Sequence, residues 1–272
     1  MPFIRLSGRP LQAKLKKKNM NYPKNIEISM EKVKELTSTN DYLAQLCKES
    51  KAKEFYTVVA ESQTAGKGQR GNHWESEAGK NLTLSMVLYP TALEVKKHFC
   101  LSMLTALSCF EALGHYTDGF SIKWPNDIYW KDKKIGGILI ENELEGGYIT
   151  QSILGIGLNV NQEEFRSSAP NPISLKQIVG TDIDLQEVLN KVVHNIIGGY
   201  RQLENDYDTA SLIIRTLYLR NLFRKKGLHP YRDAEGEFMA SFHDLTPEGY
   251  LVLKDEQDNL RKYAFKEVAF IL

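Results

Sequence analysis

Apolar positions along the chain follow two periods, and the switches between them mark out the elements. From Asn81 to Tyr89, Leu82, Leu84, Met86 and Leu88 alternate with Thr83, Ser85, Val87 and Tyr89. A period of two predicts a strand, which Pro90 ends. Leu185, Val188, Leu189, Val192, Val193, Ile196, Ile197, Tyr200 and Leu203 instead keep spacings of three and four. They predict a helix with one apolar stripe, capped by Asp184. Thr91 to His115 has a nearly unbroken small and apolar middle, Leu101 to Leu113, and predicts a buried helix. Ser38, Thr39, Asn40 and Asp41 ahead of Leu43, Leu46 and Cys47 read as an N-cap and a helix to Ser50, behind a short segment from Met30 to Leu36. A further helix is expected from Asp208 to Phe223.

The remaining apolar runs are short. Phe55 to Glu61 predicts a strand, and Phe120 to Lys123 predicts another that enters the turn Trp124-Pro125-Asn126-Asp127. Ile128 to Trp130 and Ile135 to Glu143 form a hairpin, with Gly136-Gly137 as a bulge or a place of close approach. Gly146-Gly147 then turns the chain into Tyr148 to Ile156. Six strands joined mostly by hairpins, with the helices set apart, predict an α+β fold with a mixed, largely antiparallel sheet flanked by helices. From Gly227 onward, turns separate Phe238–Phe242, Tyr250–Lys254, Leu260–Phe265 and Val268–Ile271. That texture predicts a small C-terminal β-barrel of SH3 size. The expected organisation is a leader (1–24), a main domain (25–225) and a C-terminal β module (226–272).

Charge changes the picture at one end. The formal net charge is +1, but residues 1–24 carry seven Lys and Arg and no acid. The other residues hold 28 basic against 34 acidic side chains, so the body is mildly acidic. A general nucleic-acid binder is not expected, and the leader reads as a solvated arm, with Met20 an alternative start. No apolar run approaches the roughly 18 residues of a membrane span, and Met1 to Tyr22 has no apolar export core. Cys47, Cys100 and Cys109 are odd in number and form no Cys-x-x-Cys pair, and the histidines show no paired spacing. Neither a disulfide framework nor a structural metal is expected, and a cytoplasmic location is.

Candidate chemistry concentrates between Gln63 and Trp74. Glycines 66, 68 and 71 free the backbone there, Lys67 and Arg70 supply charge, and consecutive N–H groups in such a loop can cradle an anion. It is not a Walker A loop, because Gly66-Lys67 is followed by Gly68, and its glycine spacing is not that of a dinucleotide fingerprint.

Four separated segments occur in order: Ser38-Thr39-Asn40; Gly66-Lys67-Gly68-Gln69-Arg70-Gly71-Asn72-His73-Trp74; Lys123-Trp124-Pro125-Asn126-Asp127 with Lys134-Ile135-Gly136-Gly137-Ile138-Leu139-Ile140-Glu141; and Gly155-Ile156-Gly157-Leu158-Asn159. Together they closely resemble the biotin–protein ligases, over residues 36 to 272. The resemblance implies a catalytic domain similar to class II tRNA synthetases. It implies that biotin and ATP, with Mg2+ on the nucleotide, give biotinyl-AMP, and that a lysine of a biotin carboxyl carrier protein or carboxylase domain then accepts the biotin. DNA-binding members carry an N-terminal helix-turn-helix; the residues ahead of Ser38 lack that pattern, so a ligase without the regulator is expected. No DNA and no membrane partner is implied, and a homodimer is compatible with it.

By resemblance, Lys123, Arg70 and Lys67 are the catalytic cations. Ser38, Thr39, Asn40 and Gln63 face the ureido ring of biotin, and Lys67, Gly68, Gln69, Lys123 and Gly137 complete its pocket. Lys67, Arg70, Trp74, Lys123, Asn126 and Asn159 are placed on ATP. The commonest loop of the family is Gly-Arg-Gly-Arg-Arg-Gly-Arg-x-Trp. Lys67, Gln69 and Asn72 stand here for three of its arginines, so a charged fork is kept only at Arg70. The nearest rival is a lipoate–protein ligase, whose Arg-Arg-x-x-Gly-Gly-Gly loop is absent. A catalytically silent biotin or biotinyl-adenylate sensor is the other alternative.

Overall fold

The computed structural model describes residues 29–166 and 171–272, the side chain of Arg70 excepted. The basic leader, and the leader boundary expected at residue 24, lie outside the described residues.

A seven-stranded sheet forms the frame. Its strands are β1 (Met30–Leu36), β2 (Thr57–Gln63), β3 (Leu82–Leu88), β4 (Phe120–Lys123), β5 (Asp127–Trp130), β6 (Lys133–Glu145) and β7 (Tyr148–Leu158), in the order β1-β2-β3-β7-β6-β5-β4. Only β1 and β2 run parallel; every other neighbour is antiparallel. The sheet is therefore mixed and largely antiparallel, with seven strands where the sequence predicts six. The added strand is β1, whose Glu31, Lys32, Lys34 and Glu35 hide its period. An edge strand tolerates such charge, because it has a neighbour on one side only.

Strand β3 is buried along its whole length, and its alternation divides two cores. Leu82, Leu84, Met86 and Leu88 enter the main core with α2 (Phe99–Leu113), α4 (Leu185–Asn205) and α5 (Tyr207–Arg220). Val87 faces the other way and packs with Leu43 of α1 (Thr39–Lys48), Val58 and Ile153. Helix α2 begins at Phe99, eight residues later than the composition suggests. Ile149 donates to Leu93 O (3.0 Å) and Val95 N–H donates to Gly147 O (3.0 Å), so the preceding segment is drawn out along the β6–β7 hairpin. A short helix α3 (Leu175–Val179) was not legible as a period, although Ser174 and Gln177 cap it reciprocally. The bulge expected near Gly136 is present. Ile128 pairs with Gly136 and Tyr129 with Lys134, which leaves Ile135 as the extra residue.

The C-terminal part is a second antiparallel sheet: β8 (His229–Asp233), β9 (Gly236–Leu245), β10 (Leu251–Asp255), β11 (Leu260–Tyr263) and β12 (Ala269–Phe270), in the order β11-β10-β9-β8-β12. It does not close into the predicted barrel. The two-residue β12 pairs with β8, and nothing joins it to β11. The sheet is fastened to the first by Trp124, whose indole N–H donates to Gly249 O (2.9 Å) and whose ring meets Phe265 edge-on at 6.3 Å.

Candidate active site

The four segments converge on one cavity of about 780 Å3 at the end of the seven-stranded sheet. Every site residue predicted from sequence whose side chain is described lines it. The Arg70 backbone lies in a 3₁₀ turn, Gln69–Gly71, and its side chain lies outside what is described.

One end of the cavity is neutral and polar. Ser38 caps α1, accepting from Asp41 N–H at 3.5 Å. The backbone N–H and the hydroxyl of Thr39 both donate to Gln63 Oε1, at 2.7 and 3.1 Å. Ser85 Oγ lies 2.7 Å from Thr39 Oγ1 and 2.5 Å from Asn40 Oδ1. Asn40 Nδ2 donates to Glu141 Oε2 at 2.6 Å. Ser38, Thr39, Asn40 and Ser85 are all buried. Buried hydroxyls and amides hold their geometry only when they are paired, so this chain of bonds fixes the rotamers around the pocket. Ser85 was missed from the sequence. Its signal is a second polar residue, after Thr83, on one face of a buried strand whose other face is wholly apolar.

The glycine loop folds back on itself over the middle of the cavity. Trp74 N–H donates to Gly66 O (2.9 Å) and Gly68 N–H to Asn72 O (2.6 Å). A Cβ on Gly66 would come to 2.5 Å from Trp74 O, so that position admits glycine alone. The Trp74 ring lies flat against Gly157, where an added Cβ would fall inside the contact distance of the indole. Trp74 Nε1 and Gln69 Oε1 are buried and have no partner among the described residues. Lys67 pairs with Asp41 at 2.5 Å, both side chains 46% exposed, and that carboxylate pushes the Lys67 ammonium upward.

The far end is cationic. Lys123, the last residue of β4, donates to Tyr129 Oη at 3.3 Å, and its Nζ stands 4.9 Å from the Tyr129 ring centre and 5.1 Å from that of Phe270. Burial pushes the Lys123 ammonium down, and the Asp127 carboxylate partly opposes it. Asp127 is engaged by Lys134 at 2.7 Å across β5 and β6. Lys134, quoted within the third segment but not predicted as a site residue, reaches the same floor. Its Nζ is 5.9 Å from the Trp74 ring centre and 3.5 Å from where a Gly137 Cβ would stand. Asn126 and Asn159 line the cavity, but their amides are spent on the frame: Asn126 Nδ2 donates to Ile138 O (2.5 Å) and Asn159 Nδ2 to Ile173 O (3.2 Å). The C-terminal sheet adds Phe265, Lys266, Val268, Ala269 and Phe270 to the wall, none of them predicted. Among the described residues no three His, Cys, Asp or Glu side chains are grouped to hold a metal ion.

Residues 33–159 match the model of the biotin/lipoate A/B protein ligase family. The chain is 32% identical over 238 residues to a bifunctional ligase/repressor BirA of Bacillus subtilis, covering 84% of this chain and 70% of that protein. It is 30% identical over 206 residues to a biotin–[acetyl-CoA-carboxylase] ligase of Paracoccus denitrificans, covering 72% of this chain and 83% of that one. A solved biotin protein ligase from Aquifex aeolicus, in complex with biotin and ATP, superposes with a TM-score of 0.73 at 28% identity, covering 89% of this chain and 97% of that one.

Proposed function

The chain belongs to the biotin/lipoate A/B protein ligase family, and from that premise we propose that it is an ATP-dependent biotin–protein ligase. The biotin carboxylate attacks the α-phosphate of ATP, an acyl phosphate bond forms, and pyrophosphate leaves. A lysine amine of a biotin carboxyl carrier protein then attacks the acyl carbon, an amide forms, and AMP leaves. The observation that carries this reading is the polarity of this cavity, neutral donors and acceptors at one end and lysines at the other. Biotin has the same polarity, with a ureido ring at one end and a carboxylate at the other.

Ser38, Thr39, Asn40 and Gln63 suit the ureido ring, and Trp74, Gly137 and Gly157 the apolar walls. Lipoate has no donor or acceptor in its ring, so it would leave these buried groups without a ligand partner, which favours biotin. Lys123 and Lys134 suit the carboxylate and the reacting phosphate, bringing two anions together and spreading the charge that develops. Arg70 and Lys67 would close on them from the loop. Mg2+ would enter on the nucleotide phosphates as part of the substrate, since the cavity's one carboxylate on β5, Asp127, is already paired with Lys134.

The test is pyrophosphate release with biotin or lipoate, with and without a biotin carrier domain, alongside the mass of the carrier. Biotin-dependent release and a biotinylated carrier are expected. Faster release with lipoate would assign the other branch of the family, and tight biotin binding with no release would make the protein a sensor.

A further inference from the structure

The Lys123 ammonium is held in an unusual way for a half-buried charge. Among the described residues no carboxylate lies within ion-pair distance of it, since Asp127 is turned to Lys134. Two aromatic rings flank it instead, Tyr129 from its own hairpin and Phe270 from the C-terminal sheet. An aromatic face compensates a desolvated cation without cancelling its charge, so the ammonium stays available to an incoming anion. The Phe270 ring is itself fixed. It meets Tyr231 at 5.0 Å and Phe223 at 6.3 Å, and in the β12–β8 ladder Phe270 is paired with Tyr231. Arg224 donates to Pro230 O (3.0 Å) and to Ile271 O (2.6 Å), clamping β8 and β12 together.

We propose that Phe270 is a positioning residue for Lys123, so that activation of the acid substrate depends on the seat of the C-terminal sheet. The inference rests on the ligase reading of this cavity. Phe270 touches no reacting atom; it acts by confining the ammonium to the cavity side of Tyr129. A second fastening, from Trp124 to Gly249, holds the same turn from the same sheet.

The experiment measures biotin-dependent pyrophosphate release and melting temperature for the full chain and its variants. Phe270→Met conserves volume and removes the ring. It should lower kcat about tenfold, the order expected for a desolvated cation–ring contact, with the KM for biotin changed less than threefold. Phe270→Tyr, which keeps the ring, should restore most of the rate. Phe242→Met removes a different cation–ring contact of the same sheet, with Lys225 at 4.0 Å, and should leave the rate unchanged. In a Lys123→Met background the Phe270→Met change should have no further effect on the residual rate. Wild-type rates in Phe270→Met, an equal loss in Phe270→Tyr or Phe242→Met, or the same fold-loss with and without Lys123 would each overturn the proposal. Absence of biotin-dependent release from the wild-type chain would instead count against the ligase reading.

Discussion

Asn40 and Gly155 are in contact because Gly155 has no side chain: a Cβ there would fall on Asn40 Oδ1 and come to 3.0 Å from Leu139 O. Gly155 is a β7 residue paired to Ser85 on β3 and to Leu139 on β6. The amide of Asn40 thus sits directly over the sheet, where Ser85 and Glu141 reach it.

Gly155→Ala is therefore expected to displace Asn40 and to break the polar chain at its centre. Overpacking of this kind costs about 1–3 kcal/mol. A melting temperature lowered by a few degrees and biotin affinity lowered about tenfold or more are expected, measured by thermal denaturation and calorimetry. Unchanged affinity in a folded variant would remove Asn40 from the ligand pocket.

Lys123 and Lys134 approach the floor of the cavity from β4 and β6, the strands on either side of β5, and each is expected to matter. Loss of one preorganised charge in such a site costs about 10²–10³ in rate. Lys123→Ala and Lys134→Ala should each lower biotin-dependent pyrophosphate release to that extent while the fold is kept. The two differ in stability. Lys134→Ala strips Asp127 of its partner and should destabilise, whereas Lys123→Ala removes a half-buried ammonium that has no carboxylate partner among the described residues and should not. Near wild-type release by either variant would strike that lysine from the site.

A lowered Lys123 ammonium gives the site a pH dependence. The free protein loses this proton at a lower pH than an ordinary lysine, whose pKa is about 10.4. An anion in the cavity favours the charged form. Affinity for biotin should therefore be full below the lowered value and fall as pH rises through it, with a proton taken up on binding in that range. Calorimetry in buffers of different ionisation enthalpy reads the uptake directly. The alkaline limb should disappear in Lys123→Gln; a limb that persists unchanged belongs to another group.

How far the sequence reaches can be judged residue by residue. The alternation in β3 and the stripe of α4 were legible because each element buries one face, or two distinct ones, against a partner of matching period. Strand β1 was not, since four charges in seven residues conceal an edge strand whose only neighbour is β2. Ser38, Thr39, Asn40 and Gln63 were legible as local motifs, but Ser85, which links two of them, belongs to a strand that reads as core. Lys134 was hidden in a motif quoted for its glycines. Phe270 was invisible for a different reason: it is about 150 residues from Lys123 in the chain, and only the docking of the second sheet brings the two together.

The last prediction concerns the glycine loop. Lys67, Gly71, Asn72 and His73 are exposed, and Trp74 is the first large apolar side chain after Gly66. Little burial offsets a backbone entropy of roughly 1–2 kcal/mol per residue. The Lys67–Asp41 pair is half exposed at both ends, and pairs of that kind contribute about 0–1 kcal/mol, so it yields readily to a better anion. Bound biotin and ATP would offer such anions to Lys67 and to the loop N–H groups. Residues 66–73 should then close over the reacting carboxylate and phosphate and keep water from the anhydride. Trypsin cleaves after Lys67 and Arg70. Cleavage there should be fast in the free protein, slow with biotin plus ATP, and intermediate with biotin alone. Asp41→Asn should speed cleavage of the free protein, because it releases Lys67, and should leave the protected rate within a few-fold. Equal rates with and without ligands would show that this loop is not the lid.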